Sequence, residues 1–541
     1  MSRFMSGLHQ LNILIVLAVL ASCGQVKQET GIEAKLRCEE IAKLSLSPAE
    51  IGLPVSSVTL GPANKRESSS AKGYCQLDGY LHAMDPNAQP IHFQVNLPDI
   101  WNRKSLHIGG GGWNGYLVET HDYRLMADSD ETPLDLGYVI YGSDSGHKDD
   151  PVILGASFML NEEQTRNFGG DQLKKTHDAV QSIIAAYYDQ KSSYRYFMGG
   201  SNGGREAMAV MQSWPEDYEG IVARYPAMAW TPLMLKLQHI TRAFRADNAK
   251  GWLSDKELFR VGDYITSVCD PLDGLTDGLI SNTAICRPDL TALKCGVSDH
   301  ELCLTKAQLS TIRTIISPLE LPYELANGVS VAPSSGMGYD FFVHTAIGHD
   351  KLYGADPNDA DIGSIGWFAD GMIRYGLFGD PDGHSLSFDP LNPGKYLPRL
   401  QELSRILDHT NPDIDRFKEK GGKVIIMHGN ADELVGIGGT RLYYAMLQER
   451  YGATLTDFVR YYEVPGMDHG GRGRFKGVRG VQLFKALETW VEKGEAPDQL
   501  IITDHAEATA GRTRPLCLYP SWPRYRGKGD PNSHSSFECV F

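Results

Sequence analysis

No stretch of this chain constrains its fold as tightly as "FMGGSNGGREAM", Phe197 to Met208. Two glycines precede Ser201, and two more follow Asn202. Ahead of the serine, "YRYFMGG" (194–200) is an apolar run of strand length. Behind it, "GGREAMAVMQSWP" reads as a helix that stops at Pro215. Gly199-x-Ser201-x-Gly203 between a strand and a helix fits a nucleophile elbow. The chain must turn so sharply there that side chains on the flanking residues would clash, which leaves the serine hydroxyl clear of the sheet edge. A phosphate-binding loop is the competing reading of such glycines, but its GxxxxGK[ST] pattern does not occur in this sequence.

An elbow needs a sheet to stand on, and the flanking pattern supplies one. "PIHFQVNLP" alternates like a strand, "KSLHIGGGGWNG" is a short strand running into glycines, and "GYVIYGSDSGH" is an apolar strand ending in a polar loop. "DQLKKTHDAVQSIIAAYYDQ" has helical spacing, with Ala179, Ile183 and Tyr187 on one face. Further on, "GKVIIMHGNAD" and "DFVRYYEVPGMDH" are strands that each lead into a loop. The pattern predicts an α/β fold. Residues 226–397 interrupt it with Gly-, Asp- and Pro-rich sequence holding four cysteines, and are expected to form an inserted lid domain. The core would then be split into 23–225 and 398–541. The net charge of -15 argues against nucleic acid or an anionic membrane surface as the main partner.

The N-terminus, "MSRFMSGLHQLNILIVLAVLASCG", has Arg3, an apolar run from Leu11 to Ala21, and then Cys23. The run is short for a membrane span and fits an export signal over residues 1–22. Leu20-Ala21-Ser22-Cys23 looks like a bacterial lipobox, which makes Cys23 a candidate for lipidation and the outer membrane or periplasm the expected location. Cleavage near Ala21 as an ordinary signal peptide is the alternative. Eight further cysteines, at 38, 75, 269, 286, 295, 303, 517 and 539, suggest four disulfides in an exported chain, with on the order of a hundred connectivities open. None has zinc-like spacing.

An elbow serine calls for an acid and then a histidine later in the chain. "VIIMHGNADELV" places Asp432 in a loop just past a strand, and "YYEVPGMDHGG" does the same for His469. A neutral imidazole takes the serine proton while a carboxylate fixes its tautomer. His505 and His534 also come late enough, but both lie in polar tail sequence. Acyl transfer further requires donors aimed at the developing oxyanion. The backbone N–H of Asn202 is one candidate, and Gly111 or Gly112 of "HIGGGGWNG" is the other. In "CDPLDGLTDGLISN" (269–282), Asp270, Asp273 and Asp277 offer hard oxygen ligands on a tightly turning backbone, as calcium prefers. The spacing is not that of an EF-hand, and read alone it is an acidic turn.

Taken together, "HIGGGGWNG", "VIYGSDSGH", "GGSNGGREAM", "WPEDYEGIVARYPA", "HGNADELV", "VPGMDHGG" and the tail "RPLCLYPSWPRYRGKGD" resemble the tannase and feruloyl esterase family, which also contains a hydrolase of mono(2-hydroxyethyl) terephthalate. The resemblance implies an α/β-hydrolase core with a lid, and a serine esterase whose triad falls on Ser201, Asp432 and His469. Its expected substrates are small or polysaccharide-linked feruloyl, hydroxycinnamoyl or galloyl esters, with terephthalate monoesters as the alternative. It further implies the pairs Cys38–Cys75, Cys269–Cys286, Cys295–Cys303 and Cys517–Cys539. It also implies structural calcium (Ca2+) at Asp270, Asp273 and Asp277, with the Leu275 and Leu279 carbonyls completing the site. In "GWFADGMIRYGLFGD" (366–380), Trp367 and Phe378 are candidates for holding an aromatic acid and Arg374 for clamping a carboxylate; a lid-internal ion pair is the plainer role for Arg374. His147 and His177 match family positions but read as structural.

One departure stands out. The family usually bridges a cysteine directly before the serine to one directly after the histidine, and this chain has Gly200 and Gly470 there. A bridge closing so long a loop contributes about 2–4 kcal/mol. Its absence predicts a looser histidine loop or packing that compensates. Loss of activity, leaving a surface lipoprotein that binds aromatic or glycan ligands, is the reading from another class, and acyl transfer by the same triad is a third.

Overall fold

The computed structural model describes residues 31–68, 70–121, 131–148, 155–298, 303–337, 363–471, 473–477 and 481–541. Cys23 and the rest of the expected leader lie outside the described residues. Among the described residues, nine strands form the central sheet: β1 (Ser57–Glu67), β2 (Gly73–His82), β3 (Ile91–Pro98), β4 (Lys104–Ile108), β5 (Val139–Ser143), β6 (Tyr194–Gly200), β7 (Gly220–Arg224), β8 (Lys423–Gly429) and β9 (Val459–Val464). Their order across the sheet is β9-β8-β7-β6-β4-β5-β3-β2-β1. β4 to β9 pair in parallel, while β3, β2 and β1 run antiparallel at one edge.

The parallel strands are covered on both faces, which explains their almost unbroken apolar sequence. In β8, Val424 and Ile426 pack with Ala207, Met208, Val210 and Met211 of the helix that follows β6. Its other face, Ile425 and Met427, packs with Phe484, Leu487 and Trp490 of a late helix. The described helices that matter here are α1 (Gln172–Tyr188), α2 (Asn202–Ser213), α3 (Trp230–Ala249), α4 (Asp255–Cys269), α5 (Lys306–Ile316), α6 (Gly363–Gly371), α7 (Leu397–Leu407), α8 (Ile437–Tyr451) and α9 (Leu483–Lys493). On α1, Ala179, Ile183 and Tyr187 are all buried against β3 and β5, as their spacing predicts. β2 alternates as an edge-proximal strand should, with Cys75, Leu77 and Leu81 inward.

Between β7 and β8 the chain leaves the sheet and builds a helical layer over its carboxyl edge. α4 and α5 start with reciprocal capping boxes, Ser254 with Glu257 and Thr305 with Gln308. Trp230, Met234, Leu237 and Ile240 of α3 share an apolar cluster with Ile265, Ile312 and Ile373. Leu400, Leu403 and Leu407 of α7 join the same cluster, so this packing continues past residue 397. Trp113, Phe158 and Phe168 from the first part of the core also belong to it. Four disulfides link Cys38–Cys75, Cys269–Cys286, Cys295–Cys303 and Cys517–Cys539.

Candidate active site

Open parallel sheets present their loops for chemistry at the carboxyl ends of the strands. Here β4, β6, β8 and β9 deliver the glycine loop, Ser201, Asp432 and His469 to one end of the sheet. Ser201 sits between β6 and α2 with φ 60° and ψ -121°, a left-handed conformation that a non-glycine residue adopts only when its surroundings enforce it. The enforcement is visible. Ser201 N–H donates to the Arg224 carbonyl (3.1 Å), and the Ser201 carbonyl accepts from Ala227 N–H (3.1 Å). A Cβ at Gly199 would stand 2.2 Å from the Gly203 carbonyl oxygen, so the turn closes only with glycine there.

His469 Nε2 lies 3.0 Å from Ser201 Oγ, and His469 Nδ1 lies 2.9 Å from Asp432 Oδ2. Asp432 is fully buried, and its Oδ1 accepts from the N–H groups of Leu434 (3.0 Å) and Val435 (2.7 Å). A second imidazole, His428, comes within 3.3 Å of Asp432 Oδ2 and is itself held by Thr440 Oγ1 at 2.8 Å. Burial alone would raise the Asp432 pKa, but His469 and His428 beside it hold it well below the usual carboxylate range. Next in sequence, Glu433 accepts the backbone N–H of His469 at 2.9 Å. Burial, with Asp432 and Asp468 close by, pushes Glu433 up to about 7.

The glycine loop is tied to α2 by a buried carboxylate. Glu206 Oε2 accepts from Gly110 N–H at 2.9 Å and Glu206 Oε1 from Asn114 Nδ2 at 2.8 Å, while Gly203 N–H donates to the Gly110 carbonyl at 2.9 Å. Asn202 Nδ2 donates to Asn114 Oδ1 at 2.9 Å, closing the same network. Gly109 and Gly110 thus spend their N–H groups internally, and Gly112 lines the cleft beside Ser201.

The remaining lining of that cleft is apolar: Trp230, Leu233, Met234 and Leu237 of α3, Phe368 of α6, and Leu434. The structure does not bring Trp367, Arg374 or Phe378 to Ser201. Trp367 is 41% exposed, and its neighbour Phe368 is the aromatic residue that faces inward. Arg374 pairs with Asp370 at 3.1 Å one turn away and donates to the Pro381 carbonyl. Phe378 packs on Tyr396 and Phe388. Which face of this short helix points toward Ser201 cannot be derived from its sequence, because packing against the neighbouring helices decides it. His147 stacks on Phe158 and bonds the Trp113 carbonyl (2.7 Å), and His177 is buried against Tyr141 OH (3.0 Å).

The acidic loop after α4 turns its carboxylates onto its own backbone. Asp270 accepts from Gly278 N–H (2.8 Å), and Asp273 accepts from Leu275 and Ser281 N–H (both 3.1 Å). Asp277 accepts from Leu279 N–H (3.1 Å) and pairs with Arg514 of the C-terminal segment. Burial raises the pKa of Asp270 and pushes Asp273 up to about 6, with the Asp277 charge adding to both. Asp270 and Asp273 are buried and Asp277 half-buried, and their hard oxygens are of the kind calcium takes.

Residues 75–540 match the family described as tannase and feruloyl esterase. An uncharacterized esterase of Agrobacterium fabrum is 35% identical, with 93% of each chain covered. The chain belongs to the tannase and feruloyl esterase family. Mono(2-hydroxyethyl) terephthalate hydrolase of Piscinibacter sakaiensis is 27% identical, over 86% of this chain and 85% of that one. Feruloyl esterase B of Aspergillus oryzae superposes with a TM-score of 0.76 at 23% identity, covering 93% of this chain and 99% of that structure, which shows the shared α/β-hydrolase fold. This tannase and feruloyl esterase relative is thus a carboxylic ester hydrolase acting on aromatic esters. Asn114, Glu206, His428 and Glu433 each meet a backbone or side chain that only folding brings close. Glu206, four residues after Asn202 on a helix, was the one with a usable signal.

Proposed function

We propose that Ser201 is the nucleophile of this esterase, His469 its general base and then acid, and Asp432 the carboxylate that orients the imidazole. The observation that carries this reading is the continuous bonded line from Ser201 Oγ through both nitrogens of His469 to Asp432. As Ser201 Oγ attacks the ester carbonyl carbon, His469 Nε2 takes the hydroxyl proton. It returns that proton to the leaving alcohol oxygen when the tetrahedral intermediate collapses to an acyl-serine. Water, deprotonated by the same nitrogen, attacks the acyl carbon; the bond to Ser201 Oγ breaks, Oγ takes the proton back from His469 Nε2, and the acid leaves. The N–H groups of Asn202 and of Gly111 or Gly112 stabilise the oxyanion.

The apolar cleft of Trp230, Met234, Leu237 and Phe368 supports an uncharged aromatic acyl group, hydroxycinnamoyl or galloyl. The ion pair that holds Arg374 away weighs against a terephthalate monoester, whose free carboxylate needs a cation. Calcium bound by Asp270, Asp273 and Asp277, with the Leu275 and Leu279 carbonyls, would serve folding. Four disulfides support an exported location. The test is turnover of methyl ferulate, methyl gallate and mono(2-hydroxyethyl) terephthalate, beside Ser201→Ala. The expected order puts methyl ferulate or methyl gallate first, with activity falling by at least about a thousandfold in the variant. A Ser201→Ala protein that still hydrolyses them overturns the assignment.

A further inference from the structure

His469 meets Ser201 Oγ and Asp432 Oδ2 through its two ring nitrogens. The chain that follows it, Gly470 and Gly471, has φ of 80° and 68°, values that favour glycine, and the Gly471 N–H donates to the Asp468 carbonyl (3.2 Å). Tyr225 stands beside the same imidazole. Its ring meets the His469 imidazole in a T-shaped contact, 5.0 Å between centroids with planes at 67°. The same ring fills the space above Gly200. A Cβ at that position would lie 2.8 Å from Cζ and from the hydroxyl oxygen of Tyr225, and 2.9 Å from Cε2.

The backbone shows that this placement is imposed. Tyr225 follows β7 with φ 33°, a left-handed value that an aromatic residue rarely takes. Its N–H donates to the Met427 carbonyl of β8 (2.7 Å), and the residues around it bond both sides of Ser201, at Arg224 and Ala227. The nucleophile's own peptide groups therefore hold the segment that aims the ring.

We propose that Tyr225 is a positioning residue for the general base: its ring, wedged between Gly200 and His469, keeps the imidazole on the line from Ser201 to Asp432, and residue 200 is glycine because any side chain would expel the ring. This rests on the triad reading above. The wedge is a ring contact and not a covalent link, so it positions the imidazole without a bridge beside the site.

The test compares the purified exported protein with Tyr225→Phe, Tyr225→Ala, Gly200→Ala and the Gly200→Ala/Tyr225→Ala pair on the best aromatic ester, with Ser201→Ala alongside. In Tyr225→Ala, kcat is expected to fall about ten- to hundredfold, the scale of a misplaced catalytic group, with KM within about threefold. Tyr225→Phe keeps the ring and recovers most of that loss. Gly200→Ala, whose backbone tolerates alanine but whose Cβ meets the ring, reproduces the loss. The pair loses no more than Tyr225→Ala alone, because both changes break one contact. Should Tyr225→Ala lose its cooperative melt, Gly200→Ala reads the same wedge from its other side. Full kcat in Gly200→Ala and in folded Tyr225→Ala overturns the proposal, as do losses that multiply in the pair. Ser201→Ala separates the two readings: if it stays active the triad itself is wrong, whereas if it is dead and the Tyr225 series is flat, only the wedge is wrong.

Discussion

Glu433 brings a proton to the catalytic loop that the unfolded chain gives up much sooner. A free glutamate ionises near 4.5, while burial beside Asp432 and Asp468 holds this one to about 7. Between those pH values the folded protein keeps a proton that the unfolded chain has released, so this residue's contribution to stability falls as pH rises through the window. Each pKa unit is about 1.4 kcal/mol, so the effect is on the order of 3 kcal/mol or less. Glu433→Gln keeps an oxygen for the His469 N–H and has nothing to ionise. Its Tm relative to the parent is expected to rise between pH 5 and pH 8. A Tm difference that is flat across that range would show that Glu433 does not titrate there.

At the scale of elements, the glycine loop after β4 and helix α2 act as one unit because Glu206 bonds both. Every partner it has there is a donor: Gly110 N–H, the Asn114 and Asn202 amides, and Gln172 Nε2. Glu206→Gln turns an amide N–H2 toward those donors, which leaves buried groups unsatisfied and frees the loop that lines the cleft at Gly112. A loss in kcat of about ten- to hundredfold is expected, since oxyanion donors act only when held in place. KM should change far less. Equal losses in kcat/KM through KM alone would mean that the clamp serves binding and not the transition state.

Over the whole molecule, the acidic loop after α4 is tied both to the active-site end of the sheet and to the C-terminal segment. The Ile280 carbonyl accepts from Asn430 Nδ2 (2.8 Å), whose Oδ1 accepts from Gly466 N–H (2.8 Å), in the loops that carry Asp432 and His469. Asp277 pairs with Arg514. Calcium held by this loop would stabilise all three segments by mass action, so chelation should lower Tm by several degrees and calcium should restore it. A melt indifferent to both would remove calcium from the account.

Local order in the chain already contained the elbow, the sequence of serine, acid and histidine, and the parallel strands that deliver them. Those follow from short-range rules: apolar runs make strands, glycine admits a tight turn, and a strand's end is where a loop begins. The Ser201, Asp432 and His469 positions could therefore be read from motifs a few residues long. What covers the site could not. Phe368 rather than Trp367 faces the cleft, Arg374 turns to Asp370, and Tyr225 reaches His469 across more than two hundred positions of chain, because each depends on how separate segments pack. Periodicity reports which residues share a face of one element; only the tertiary structure decides what that face meets.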